Sequence, residues 1–211
     1  MNEELSKPLP GRVMVAEDEH LVATGIRSQL LSLGCQVVGP VADGRSALEI
    51  AETETPDFAM LDVRMPVLDG LDAARTLWQD MGIPSVILTA YSDPRSIERA
   101  QQTGVFGYLL KPATADMLRA GLSVAWARAN AARGQAKRIE QLEKLMANRR
   151  LIEQAKWKLV ESRSMTEPQA HLFLQTEARN HRRRLIDVAC GLLGVPVPSD
   201  GPANAGGRAE T

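Results

Sequence analysis

The chain has 211 residues, 44% of them hydrophobic, and a formal net charge of −1. This is enough for one ordinary domain and a smaller second one. No apolar run approaches the ~20 residues that span a bilayer, and the N-terminal stretch MNEELSKPLPG lacks the apolar core of a signal peptide. The two cysteines, Cys35 and Cys190, stand far apart in no metal-ligand spacing, so we expect reduced thiols in a cytoplasmic protein rather than a disulfide framework or zinc site.

The near-neutral total hides an asymmetry. Residues 12–118 carry 8 basic and 15 acidic side chains, a net of −7, while residues 119–195 carry 15 basic and 7 acidic, a net of +8. An acidic half suits a metal- or phosphate-handling site, and a basic half suits a nucleic-acid contact.

In chain order, β-like runs occur at 12–16 (RVMVA), 36–41 (QVVGPV), 58–62 (FAMLD), 85–89 (SVILT) and 107–110 (GYLL). Amphipathic helical segments separate them near 20–33, 44–53, 69–80 and 94–103. Strands alternating with helices of this length predict βαβ units. The expected fold is α/β, a flavodoxin-like doubly wound five-stranded parallel sheet with its site at the carboxyl ends of the strands.

From Thr114 the pattern turns helical. Leu118, Leu122 and Ala125 mark one apolar face, and Ile139, Leu142, Leu145 and Met146 resume it with coiled-coil spacing after the weak point at Gly134. A small all-α unit of three helices is expected next. Its first helix spans about 148–162. The second is capped by Thr166 and ends near Asn180. The third runs from about Arg183 to Leu193 and is stopped by Gly194 and Pro196.

The acids fall at telling places. Glu17, Asp18 and Glu19 follow the first strand, Asp62 ends the third, Thr89 ends the fourth, and Lys111 follows the fifth. All converge at the carboxyl edge of one sheet. Gathered carboxylates hold a hard divalent cation, and magnesium suits an oxygen site that shares a phosphate. Such an ion offsets phosphoryl charge so that a carboxylate can attack. Taken singly, each position has a structural explanation: a strand-end turn for Asp62, a helix N-terminus for Glu17–Glu19, a strand residue for Thr89, a core aromatic for Tyr108.

The blocks VAEDE (15–19), DVRMPVLDG (62–70), LTA (88–90) and LLKP (109–112) together resemble the receiver domains of two-component response regulators. That resemblance implies that Asp62 is the phosphoacceptor, supplied by a cognate sensor histidine kinase. It implies that Glu17, Asp18, Asp62 and the Arg64 main-chain carbonyl bind Mg2+. It also implies that Thr89 and Lys111 sense the phosphoryl group and that Tyr108 is an aromatic switch. Met65–Pro66 and Gly70 read as a turn and helix entry.

In the basic half the charges are Arg149, Arg150, Lys156, Lys158, Arg163, Arg179, Arg182, Arg183 and Arg184. Composition alone allows either a solvated face or a phosphate grip. The stretch 149–193 resembles an ANTAR domain, the three-helix RNA-binding output module of transcription antiterminators. The resemblance is carried by Arg149, Ile152, Ala155-Lys156, Met165 to Ala170 and Val188-Ala189, with Trp157 where the family commonly has Gly. It implies that those nine basic residues meet RNA. Trp157, His171 and Phe173 could stack bases but are expected in the core.

The expected organisation is therefore a flexible N-terminus (1–10), a receiver (11–118), a helical linker (119–147), an ANTAR domain (148–195) and a disordered tail (196–211). The expected function is phosphorylation-controlled RNA stem-loop binding and antitermination, with homodimerisation on phosphorylation and no membrane partner. The alternative is a response regulator whose helices bind DNA or a protein. With no P-loop, nucleophile elbow or paired catalytic His, an enzyme is not expected.

Overall fold

A computed structural model describes residues 9–90 and 105–198. The expected helix at 94–103, most of the N-terminal segment 1–10 and most of the tail 196–211 lie outside the described residues. The chain divides into two compact units, 1–134 and 135–211.

The first unit is built on strands β1 (Arg12–Ala16), β2 (Gln36–Val41), β3 (Phe58–Asp62), β4 (Ser85–Thr89) and β5 (Val105–Leu110). They form one parallel sheet in the order β2-β1-β3-β4-β5. The β5 strand begins two residues before the expected Gly107, because Val105 already pairs with Ser85 of β4. Helices α1 (His20–Ser32), α2 (Gly44–Glu54) and α3 (Gly70–Met81) follow β1, β2 and β3.

Strand side chains alternate between two cores, as the period of two requires. Met14, Ala16, Ala59, Leu61 and Ile87 pack with α2 and α3 on one face. Val13, Val15, Phe58, Met60, Val86 and Leu88 pack on the other with Ile26 and Leu30 of α1. Leu118, Leu122, Ala125 and Trp126 of the next helix join this second core. Every residue of β3 is buried, which explains its unbroken apolar run up to Asp62.

That next helix, α4, runs without interruption from Ala115 to Arg163. The sequence suggests a linker helix and then a separate helix from 148, but no break separates them. Gly134, the expected weak point, is accommodated inside the helix, with open space where a Cβ would stand. A mid-helix glycine costs about 1 kcal/mol, too little to end a helix anchored by packing on its first turns. The anchoring includes Arg133. Its guanidinium lies over the Trp126 ring, 5.5 Å from the centroid, and donates to the Gly82 carbonyl at 2.7 Å.

In the second unit, α4 from Gln135 onward is joined by α5 (Glu167–Asn180) and α6 (Leu185–Leu193). Ala155, Leu159, Ala170, Leu174 and Ala189 form its core. Thr166 is the N-cap of α5, and its amide donates to the Gln169 side chain at 2.9 Å. Gly194 closes α6 in the left-handed conformation that favours glycine. The α6 helix starts at Leu185, two residues later than expected, because Asp187 accepts from the Arg184 amide and fixes Arg184 as the cap. Ile139, Leu142, Leu145 and Met146 are exposed, unlike the buried apolar face near the start of α4. Among the described residues no helix is long and apolar enough to cross a membrane.

Candidate functional site

The acidic cluster stands at the carboxyl edge of the sheet. β1 delivers Glu17 and Asp18 and its neighbour β3 delivers Asp62. One ligand oxygen from each of Glu17, Asp18 and Asp62 lies within 4.8 Å of the others. Glu17 is 2% exposed and Asp62 7%, while Asp18 faces solvent. Three carboxylates that close, two of them buried, form a donor set that fits a hard divalent cation.

Lys111 reaches the same place from the end of β5, where its amide donates to the Thr89 carbonyl at 2.9 Å. Its ammonium contacts Glu17 Oε2 at 2.5 Å and Asp62 Oδ2 at 3.2 Å. Burial pushes the Glu17 and Asp62 carboxyls above their ordinary values, and Lys111 opposes that rise without cancelling it. Burial works to lower the Lys111 pKa as well, but its hydrogen bonds and charge contacts with the two carboxylates prevail and raise it. One ammonium thus faces three acids, so the cluster keeps a deficit of positive charge.

The surrounding backbone is shaped to fit. Asp69 caps α3 by accepting from the Asp72 amide at 2.9 Å. Gly70 brings the start of α3 against β3, where an added Cβ would stand 1.8 Å from the Asp62 carbonyl oxygen. Only glycine tolerates that approach. Met65 turns into the core, whereas Arg64 is exposed in the loop after β3. Thr89 is buried beside the cluster. Tyr108 is half-buried and packs on the α2–α3 core, and strand alternation places it on the same sheet face as Thr89.

The basic residues of the second unit fare differently. Arg149, Arg150, Lys158, Arg163, Arg179, Arg182, Arg183 and Arg184 are exposed. The last three lie in the junction between α5 and α6, which Arg182 enters with a left-handed backbone (φ 50°). Lys156 departs from the expected RNA-contacting set. It is 7% exposed, and its ammonium is held by Glu153 at 2.9 Å and Glu167 at 2.7 Å, so it ties α4 to α5 inside the unit. Its salt-bridge partners leave it little freedom to meet a polyanion. Arg163 stacks over Phe173, 4.8 Å from the ring centroid.

Trp157 also departs from expectation. It is not in the core but 57% exposed, whereas Phe173 packs against the core and His171 is half-buried. The spacing could have shown this. Ile152, Ala155 and Leu159 define the inward face of α4, and Trp157 lies about half a turn from Ala155 and Leu159 alike. The Arg133 clasp has no signal in the sequence, because nothing local links Arg133 to Gly82.

A doubly wound sheet of this order, with three acids and a lysine at its carboxyl edge, defines a receiver. Residues 13–123 match the family model described as the response regulator receiver domain, and residues 140–193 match that of the ANTAR domain. The transcriptional regulatory protein PdtaR of Mycobacterium tuberculosis is 35% identical over 191 residues, covering 89% of this chain and 93% of the relative. The transcriptional regulatory protein DesR of Bacillus subtilis is 35% identical over 107 residues, 50% of this chain and 53% of the relative. A solved signal receiver domain of a modulated diguanylate cyclase from Desulfovibrio desulfuricans aligns with a TM-score of 0.55 at 34% identity, covering 59% of this chain and 98% of that one. The chain belongs to the two-component response regulators, with an N-terminal receiver and a C-terminal ANTAR output domain.

Proposed function

We propose that this chain is a phosphorylation-controlled antiterminator that binds RNA stem-loops in nascent transcripts. The observation that carries the input half is the convergence of Glu17, Asp18 and Asp62 around the Lys111 ammonium. The output half is supported by the ANTAR match at 140–193 and by the eight exposed basic side chains within it.

In this reading an Asp62 carboxylate oxygen bonds to phosphorus as the phosphorus–nitrogen bond of a sensor kinase's phosphohistidine breaks and the imidazole leaves. Glu17, Asp18, Asp62 and the Arg64 main-chain carbonyl hold Mg2+, which when bound offsets the charge of carboxylates and phosphoryl oxygens. Lys111 exchanges part of its contact with Asp62 for the phosphoryl oxygens, and the Thr89 hydroxyl donates to one of them. Tyr108, on the Thr89 face of the sheet, changes its packing in response. The chemistry is self-directed, and no other substrate is turned over.

The phosphorylated population self-associates. Ile139, Leu142, Leu145 and Met146 provide an exposed apolar seam for a second copy. Two basic modules then hold paired stem-loops so that a terminator hairpin does not form. Arg149, Arg150, Lys158, Arg163, Arg179, Arg182, Arg183 and Arg184 meet phosphates. These steps take place in the cytoplasm.

RNA crosslinking with sequencing under phosphorylating conditions tests the reading. Wild type should enrich leader stem-loops and Asp62→Ala should not. Equal enrichment by both would remove phosphorylation as the switch, and enrichment of promoter DNA instead would make the output a DNA binder.

A further inference from the structure

We infer that the Trp157 indole is a stacking platform for an unpaired RNA base, and that it gives this chain a preference for loop over duplex. The inference rests on the RNA-binding reading above and adds a residue to it.

Trp157 sits on α4 facing away from the unit's core, with more than half of its surface in water. An indole is the largest apolar side chain, and its flat faces are the part that packs. What surrounds it decides what it is for. Its neighbours on the helix surface are Arg150, Glu153, Gln154, Val160 and Glu161, at spacings of seven, four, three, three and four residues. Only Val160 is apolar, and it packs against the unit's core, so the exposed helix surface around Trp157 is polar and not a hydrophobic patch of the kind that seats a protein partner. A lone aromatic platform ringed by hydrogen-bonding and charged groups is instead the arrangement that holds a single-stranded base.

The charges are consistent with that use. Arg150 lies on the same side of α4, about 10 Å nearer the N-terminus by helical rise, within reach of the phosphates flanking a stacked base. Glu153 is already paired with Lys156. Lys158, the next residue along, donates to the Leu192 carbonyl at 2.8 Å and so ties α4 to the end of α6. Gln154 and Glu161 can accept from exocyclic amino groups, so adenine, guanine and cytosine suit the site better than uracil. Duplex RNA keeps its bases stacked internally and cannot offer a face to the ring, whereas a loop can.

The test uses the full phosphorylated chain with two probes, a synthetic RNA hairpin closed by an adenine-rich loop and its stem as a blunt duplex. Trp157→Ala should weaken hairpin binding by about tenfold while leaving duplex binding and the salt slope unchanged. Trp157→Phe should fall between. Wild-type tryptophan emission should be quenched by the hairpin and not by the duplex. Equal hairpin affinity for wild type and Trp157→Ala would overturn this inference alone. Absence of RNA binding by the wild type would overturn the antiterminator reading itself. Sedimentation distinguishes the remaining case: if Trp157→Ala loses self-association together with hairpin affinity, the indole is a subunit contact and not a base platform.

Discussion

The two ends of this molecule carry charge in opposite ways. In the receiver four groups converge, and the central ones, Glu17, Asp62 and Lys111, are buried or nearly so. In the ANTAR unit eight basic groups spread over an exposed surface, and the buried one, Lys156, is consumed by Glu153 and Glu167. Buried charge interacts strongly because little water screens it, so each group matters singly. Exposed charge is screened, and its contacts with a polyanion act in sum. Single substitutions should therefore act in an all-or-none manner at one end and incrementally at the other.

The sharpest probe is Asp62→Asn, which should abolish phosphoryl incorporation, read as loss of the shifted band on phosphate-affinity gels. Retained phosphorylation would place the acceptor elsewhere. Next, Gly70→Ala should cost about 3 kcal/mol, because the new methyl overlaps the Asp62 carbonyl and the start of α3 must move. Urea denaturation measures it.

Lys111→Met should cost about 2–3 kcal/mol at pH 8, since two buried carboxylates lose their cation. Both carboxyls have folded-state pKa values raised above their ordinary 4.5 and 3.8. The folded form then binds more protons than the unfolded one, and acid favours it as pH falls through the raised values. The defect should therefore shrink at pH 5 in magnesium-free buffer. A defect that grew on acidification would contradict a site dominated by buried carboxylates.

In the other unit, Arg182→Ala and Arg183→Ala should each flatten the salt dependence of RNA binding by about 0.7–0.9 in log–log slope, with no change in stability. Lys156→Ala should do the reverse, leaving the slope alone and lowering the thermal midpoint slightly. If Lys156→Ala flattened the slope as Arg182→Ala does, the division between structural and polyanion-facing charge would fail.

The receiver was legible in the sequence because its signals are local and repeated. Asp62 ends an apolar strand, Lys111 precedes a proline, and each block sits at the end of a strand whose pairing follows from the fold class. In the sequence Gly70 shows only as a helix entry, since the clash with Asp62 depends on how β3 and α3 meet in space. The C-terminal unit was harder. Lys156 and Trp157 are adjacent, and one residue of rotation, about 100°, sends the first inward and the second outward. Composition treats both as it treats any lysine or aromatic. The Ile152, Ala155 and Leu159 periodicity holds the answer, but the scarcity of aromatic residues in so small a module argues for a Trp157 in the core. Helix continuity past Gly134 was invisible for another reason. A single glycine weakens a helix in isolation, and the packing that overrides it lies in Trp126, Arg133 and Gly82.

The unbroken run of α4 from Ile139 to Arg163 has a consequence for spacer length. Within one helix the angular phase between two side chains is set only by the number of residues between them. The apolar seam ending at Met146 and the indole at Trp157 are therefore geared together. One alanine inserted after Ala147 would turn the seam by about 100° relative to the indole and undo any joint use of the two. Seven inserted residues would restore the phase to within about 20° while lengthening the spacer by about 10 Å. An insertion series in this stretch should thus alternate between loss and recovery of RNA binding, with the beat of the helix itself.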